Sequence, residues 1–300
     1  MERHFRSKYP CRIRSGSAVA TATLRLGRAI RPSASLGVIA AALLWQAPVQ
    51  AQTLSDDFWI NVQAYYPKVD TRVRVDANTE QAIGTDIDLE RDLDLDGKEV
   101  LPAVSAGARF GRVVVGADFF RLKRSGSVGL AREIEFDGTT YPVNARVDSG
   151  FSSDVYRLTV GYAFVSQPDL EIGAALGLHA TNFRVSLSGE ASAGGEGVEV
   201  TARRKEVLAP LPTIGLFATW QPAPRVELTG RVDYLSLKIS DYDGKLLNLQ
   251  AGAAYRLFEH ASLGLAYRYV DYRLGVEKDS WSGRVRYKLR GPALILQASF

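Results

Sequence analysis

The run Asp92-Leu93-Asp94-Leu95-Asp96-Gly97-Lys98-Glu99 is the first place where residue types and spacing could do chemistry. Asp92, Asp94, Asp96 and Gly97 match positions 1, 3, 5 and 6 of a calcium-binding EF-hand loop, where oxygen ligands alternate and glycine makes the turn. Position 12 of that loop must be a bidentate glutamate. Here it is Ala103, which has no ligating group. The three aspartates are therefore candidates for a weak surface cation site only, and no metal or cofactor is expected. The competing reading is an acidic hairpin arm: Ile87, Leu89, Leu93 and Leu95 alternate with Asp86, Asp88, Glu90, Asp92, Asp94 and Asp96, and Gly97 belongs to the tip.

Which reading holds depends on the surrounding chain. Residues 1–51 have the order of a secretory signal peptide: eight Lys/Arg and one acid, then the apolar run Leu36–Trp45, then the small-residue site Val49-Gln50-Ala51. The apolar run is too short to cross a bilayer as a helix. Removing that leader from 37 basic and 33 acidic residues leaves 29 against 32, a net charge of about −3. The basic isoelectric point thus belongs to the leader, and a nucleic-acid partner loses its main support. Cys11, the only cysteine, leaves with it, so disulfides and thiol chemistry are excluded from residues 52–300.

Residues 52–300 read as a single all-β domain. No sustained 3.6-residue apolar stripe occurs; period-2 alternation recurs instead. Tyr156, Leu158, Val160, Tyr162 and Phe164 alternate with Arg157, Thr159, Gly161 and Ala163, and similar patterns run through 58–66, 170–180, 226–234 and 247–257. The second face mixes Gly, Ala, Asn and Gln with isolated charges of both signs. A soluble sandwich would show Lys, Glu and Thr there. Small residues with compensating charges suit the interior of a narrow barrel whose apolar face meets lipid.

The expected fold is an antiparallel transmembrane β-barrel, with ten strands favoured over eight or twelve. The strands fall at about 58–76, 100–110, 113–136, 139–165, 170–190, 199–220, 225–240, 245–257, 261–278 and 283–300. Asp96-Gly97, Asp137-Gly138 and Asp243-Gly244 are read as two-residue hairpin turns at one end. Gly111-Arg112, 166–169, 221–224 and 258–261 are read as short turns at the other. Leu101–Phe110, Leu211–Trp220 and Gly291–Phe300 each carry proline second and an aromatic tenth, placing equivalent strands in one direction. Proline inside a paired strand predicts a bulge, and Pro210 with Pro212 makes the sixth strand the weakest assignment.

The chain ends on Leu294, Leu296, Ala298 and Phe300 on one face. This resembles the C-terminal assembly signal of Gram-negative outer-membrane β-barrel proteins, with Ala298 smaller than the usual residue there. Stretches such as Gly84–Asp96 and Ser236–Gly244 are similar to uncharacterised barrels of the broad OmpA/OmpW-like kind. The resemblance implies an outer-membrane location, insertion by the barrel-assembly machinery, and contact with outer-membrane lipid and lipopolysaccharide. It brings no activity.

Inside such a barrel the inward charges would be Arg109, Asp118, Arg157, Glu171, Glu227, Arg231, Asp233, Arg256 and Arg268, with His179 among them. A paired network filling the lumen is favoured over a pore lining, because buried charges need partners and ten strands leave little bore. Barrel hydrolases such as omptins place acidic pairs and a histidine near the outer rim. Here His260 falls in a turn at the opposite end, and His179 has no Asp-x-His neighbour. The expectation is a non-enzymatic barrel with a structural or surface-interaction role. A small-solute channel is the first alternative and an outer-membrane hydrolase the second.

Overall fold

The structure, a computed structural model, describes residue 54 and residues 56–77, 84–191, 199–239, 241–279 and 281–300. The leader expected over 1–51 lies outside the described residues. Ring strands comprise β1 (Phe58–Tyr65), β2 (Lys68–Ala77), β4 (Leu101–Phe110), β5 (Val113–Gly129), β8 (Arg146–Ser166), β9 (Leu170–Ala191), β10 (Glu199–Ala223), β11 (Val226–Ile239), β12 (Tyr242–Phe258), β13 (Ala261–Lys278) and β14 (Trp281–Ser299). Between them lie β3 (Ile87–Asp88), α1 (Leu89–Asp92), β6 (Ile134–Phe136) and β7 (Thr139–Tyr141).

Each long strand pairs antiparallel with the next, and β1 pairs with both β4 and β14, which closes the sheet. Tyr65 opposes Ala293 and Lys68 opposes Arg290, so β1 and β2 keep one register along β14 across Tyr66-Pro67. They are two halves of a single ring strand, and the barrel has ten strands.

Alternation sorts the side chains as the sequence pattern requires. Tyr156, Leu158, Val160, Tyr162 and Phe164 stand exposed on the outside, while Arg157 and Thr159 are buried inside. Leu176, Leu178, Ile214, Leu216, Val232 and Leu265 continue the exposed apolar surface across neighbouring strands. A contiguous belt of this size is not tolerated in water; it is the lipid-facing surface of a transmembrane barrel. About ten residues suffice for a tilted strand to cross a bilayer. β8, β9 and β10 have 21, 22 and 25. Their excess stands beyond the belt at the end opposite Phe58 and Phe300, called here the far end.

Two segments at the far end depart from the expected hairpins. The strands expected over 113–136 and 139–165 end at Gly129 and begin at Arg146. Between them β6 and β7 form a separate hairpin that buries Ile134, Phe136 and Tyr141. Its tip is Asp137-Gly138, with φ of 53° and 71°, the left-handed pair a type I′ turn needs.

The acidic segment is not a projecting arm. β3 pairs with β2 through Arg72–Asp88 and Val73–Ile87, and Asp88 caps α1 by accepting from the Arg91 amide at 3.1 Å. The chain then turns at Asp94, φ 52°, not at Gly97. Ile87, Leu89, Leu93 and Leu95 are all buried. β4 pairs with β5 only as far as Phe120, leaving the outer half of β5 without a ring neighbour on that side. The acidic segment comes up against this edge: a Cβ on Gly126 would lie 2.4 Å from the Leu93 carbonyl oxygen. Four apolar side chains thus have a core to enter, which outweighs the preference of Asp-Gly for a hairpin tip.

Asp243-Gly244 is not a turn either. It lies within β12, opposite Lys238 and Leu237. A Cβ on Gly244 would come within 2.7 Å of Leu211 Cδ2, so the glycine makes room for an inward leucine. The prolines do not mark bulges; register shifts occur at 163/165, 220/223 and 256/258. Pro210 and Pro212 oppose Ala180 and Leu178 on β9, but pairing of β10 with β11 starts only at Ile214–Tyr234. Proline lacks the N–H a second ladder would need, and the β10–β11 seam stops there.

Candidate functional site

The lumen is built in layers, each supplied by inward positions of several strands. At the end carrying Phe58 and Phe300, Arg109 on β4 donates to both carboxylate oxygens of Glu171 on β9, at 2.9 and 3.3 Å. Its Nη1 donates to the carbonyls of Leu54 and Asp56 at 3.0 and 2.9 Å, holding the approach to β1 against the rim. Arg256 completes the rim through Asp56 Oδ2 at 2.7 Å and the Glu259 carbonyl at 3.1 Å.

The middle layer centres on Asp233 of β11, which is 1% exposed. Its carboxylate accepts from Arg157 Nη1 at 2.9 Å, Arg231 Nε at 3.0 Å and Asn248 Nδ2 at 2.9 Å. Arg157 also donates from Nε to Asp118 at 2.8 Å. Two arginines, two aspartates and an asparagine on four strands thereby neutralise one another across the bore, as buried charge requires. Between rim and middle layers lies a cavity of about 220 Å³ with a mixed lining that includes Trp59, Arg109, Glu171, Phe217, Glu227 and Arg231.

Above the ion pairs the chemistry changes. Arg268 lies between the rings of Tyr65 and Phe120, at 5.1 and 5.6 Å from their centroids, and donates to Gln63 Oε1 at 3.2 Å. Beyond it sit Phe151, Phe183, Tyr272 and Tyr287, whose ring centroids are 5.1 to 6.2 Å apart. These rings join Leu122, Val69, Leu93 and Ile134 in one buried apolar cluster across the far half of the bore. His179, 5% exposed, faces inward beneath them, opposite Arg157 on β8 and Leu211 on β10. A cavity of about 20 Å³ beside it has room for a single water-sized molecule.

All ten lumen residues expected from the sequence occupy inward positions, and Arg157, Asp118, Asp233 and Arg231 meet directly. Arg109 and Glu171 form a separate pair, and Arg256 and Arg268 have partners outside the expected set. Asp56, Gln63 and Asn248 were missed. Asn248 shares the parity of Arg256 on β12, and Gln63 alternates with the apolar Ile60 and Val62 on β1, so both could have been read as inward; Asp56 precedes the first strand and gave no signal. Also missed was Arg124, whose fully covered guanidinium donates to Glu90 Oε1, to the Asp96 carbonyl at 3.0 Å and to Thr71 Oγ1 at 2.7 Å.

The candidate cation site does not converge. Asp92 accepts from Arg132, from Arg91 and from the Asp88 amide, while Asp94 and Asp96 point to solvent. No metal-ligand cluster of three acidic, histidine or cysteine groups occurs among the described residues. Burial opposes the Asp92 charge, but its bonds from Arg91 and Arg132 hold the carboxyl below the usual range. At the other end, Leu294 and Leu296 are exposed on the outer face and Phe300 stacks on His260 at 5.4 Å. Phe300 and Phe58 exchange two backbone hydrogen bonds, 2.8 and 3.0 Å, joining the last residue to the first ring strand.

No family model and no curated protein matches the sequence. The solved structures it is similar to are outer-membrane β-barrel proteins. They include the outer membrane protease OmpT from Escherichia coli, at 12% identity and a TM-score of 0.49, covering 81% of this chain and 97% of that one. The Pseudomonas putida toluene transporter TodX is 12% identical at a TM-score of 0.33, over 82% and 90% of the two chains. Neisserial surface protein A is 15% identical at 0.24, over 81% and 97%. The chain's own closed ring and apolar belt are what define it as a transmembrane β-barrel.

Proposed function

We propose that this chain is an outer-membrane barrel that acts through its outer surface and far-end loops rather than by conducting solute. Its far end faces outward and its chain ends face the periplasm. The observation that carries the reading is the aromatic cluster of Phe151, Phe183, Tyr272 and Tyr287, packed across the bore above the Arg157–Asp233 layer. A conduction path needs a continuous line of polar groups and water. Here interlocked rings and the inward leucines of the acidic segment occupy that line. The cavity of about 220 Å³ lies on the chain-end side of them.

Burial of His179 supports a non-enzymatic role. A general base must reach a substrate proton, and His179 is buried beside Arg157 beneath the rings. The direct test is reconstitution of the folded barrel in a planar bilayer, with heat-modifiable gel migration as the check on folding. The expected result is no unitary current from a barrel that migrates faster unboiled. Regular unitary steps would reverse the reading in favour of a channel. Peptide or lipid hydrolysis abolished by His179→Ala would reverse it in favour of a hydrolase.

A further inference from the structure

The outer face of β14 carries a basic column. In Arg284-Val285-Arg286-Tyr287-Lys288-Leu289-Arg290 every outward position is cationic, while Tyr287 and Leu289 are buried inside. The column begins where the apolar belt ends. Arg290 opposes Tyr269 of β13, and the next outward row contains Tyr267 and Pro292. Each outward step is two residues, about 5 Å along the axis for a tilted strand, so the column covers the headgroup zone and its immediate surroundings.

A row crosses this column. The registers place Lys245, Arg273, Arg286 and Arg72 directly opposite one another on β12, β13, β14 and β2. Arg284 also faces Arg74, and Arg290 faces Lys68. Counting the four outward positions from 243 to 249 on β12 and those opposite them on the other three strands, nine are basic. Three are acidic: Asp243, Asp271 and Asp70. Like charges directly opposite in an antiparallel pair destabilise it. Asp271 reaches Arg273 and Lys288, at 3.2 and 3.7 Å, Asp88 reaches Arg72 at 3.5 Å, and Asp76 and Asp86 reach Arg74 at 2.9 and 3.8 Å. Among the described residues no carboxylate lies within 4.0 Å of Lys245, Arg284, Arg286 or Arg290.

The opposite wall supplies the contrast. There Asp154 is held by Arg121 and by Arg184 at 2.9 Å, and Arg184 also binds Glu206 at 2.8 Å. That surface neutralises itself; the β12–β2 surface does so only in part, leaving Lys245, Arg284, Arg286 and Arg290 without a carboxylate partner among the described residues. An open groove of about 320 Å³, wide enough for a phosphorylated headgroup, is lined by five cations, Lys245, Arg273, Arg284, Arg286 and Arg72, against two carboxylates, Asp86 and Asp243.

We propose that the β12–β13–β14–β2 face binds the phosphate groups of an anionic lipid in the leaflet around the far end. The acyl chains lie along the apolar belt below Tyr267 and Tyr269, and the arginines supply forked donors to phosphate oxygens. Charge complementarity selects the headgroup, and the height of the column selects lipid over a soluble anion. The inference concerns the outer face and does not depend on whether the lumen conducts.

The test uses the folded full barrel in neutral detergent micelles containing dansyl-labelled phosphatidic acid, read by energy transfer from tryptophan. Dansyl-labelled diacylglycerol is the phosphate-free control. Saturable transfer with the phosphorylated probe only is expected. Arg273→Gln with Arg286→Gln should weaken it roughly 30-fold, from about fivefold per headgroup cation. Arg121→Gln on the opposite wall should change it less than twofold. Equal transfer from both probes, or no loss in the double variant, overturns the proposal. Should the double variant not fold, the comparison of the two probes on the native barrel decides alone. Displacement by millimolar inorganic phosphate would reassign the face to a free anion, and displacement by micromolar dextran sulfate to a soluble polyanion. Either outcome overturns the lipid assignment.

Discussion

Arg124 of β5 and Glu90 of α1 form an ion pair in which the arginine side chain is 1% and the glutamate 18% exposed. They are 34 residues apart in sequence, and the pair fixes the acidic segment to the inside of the ring. Glu90 also accepts from the Thr71 amide at 2.8 Å, so one carboxylate joins α1, β2 and β5. Removing one partner of a covered pair costs about 3 kcal/mol, because the other charge stays buried without compensation. Glu90→Gln should therefore release the segment from β5 while the ring below persists. Limited proteolysis within 84–99 should accelerate more than tenfold with heat-modifiable migration intact. Unchanged cleavage would show that the leucines alone hold the segment.

The middle layer makes a second prediction, one of rank order. Asp233 accepts from Arg157, Arg231 and Asn248, whereas Arg231 serves Asp233 beside the 220 Å³ cavity. Asp233→Ala leaves Arg157 buried with only Asp118, while Arg231→Ala leaves the Arg157–Asp233 pair in place. Both variants should unfold at lower temperature, Asp233→Ala the lower of the two. An Arg231→Ala barrel of unchanged stability that gains unitary conductance would instead favour a pore lining.

How much of this was legible in the sequence differs by element. The ten-strand ring follows from alternation, which specifies which face each residue takes, and from short turns at the chain-end side. Asn248 and Gln63 take the inward positions that alternation assigns on β12 and β1, so most of the lumen could be read strand by strand. The far end could not. Leu93 and Leu95 alternate like a strand, and only the unpaired outer half of β5 gives them a place inside the ring. The pairing of Arg124 with Glu90 depends on that inward turn and has no local signature. The three Asp-Gly pairs look alike, yet only Asp137-Gly138 turns. Leu211 packs over Gly244, and the buried leucines around Gly97 decide the path of the chain there.

Glycines along the closing seam give a third prediction. A Cβ on Gly291 would meet the Tyr66 carbonyl oxygen at 2.3 Å and the Pro67 Cα at 2.8 Å, both backbone atoms that cannot move without shifting the β1–β14 pairing. At Gly230, on the outer face of β11 between Leu228 and Val232, nothing lies within 4 Å. Gly291→Ala should therefore lower the unfolding temperature and slow folding into micelles. Gly230→Ala should be neutral or stabilising by a few tenths of a kcal/mol to about 1 kcal/mol through the unfolded chain. Equal behaviour of the two variants would show that the seam adjusts freely.

Asp92 makes the far end acid-sensitive, and the direction follows from its partners. Its carboxyl is held below the usual range by bonds from Arg91 and Arg132, which outweigh the cost of burial. In the unfolded chain it titrates at about 3.9. A depressed folded-state value means that the stability it contributes is complete above that pH. The contribution is lost as pH falls through the lower folded value. Protonation would free Arg132, which also donates to the Asp86 carbonyl at 2.8 Å, and so loosen the loop after β5 from α1. Hydrogen exchange of amides 85–95 should therefore rise below about pH 4, beyond the intrinsic pH dependence. In Asp92→Asn the same amides should already exchange faster at neutral pH and lose that acid step. An acid step retained in Asp92→Asn would place the responsible carboxylate elsewhere.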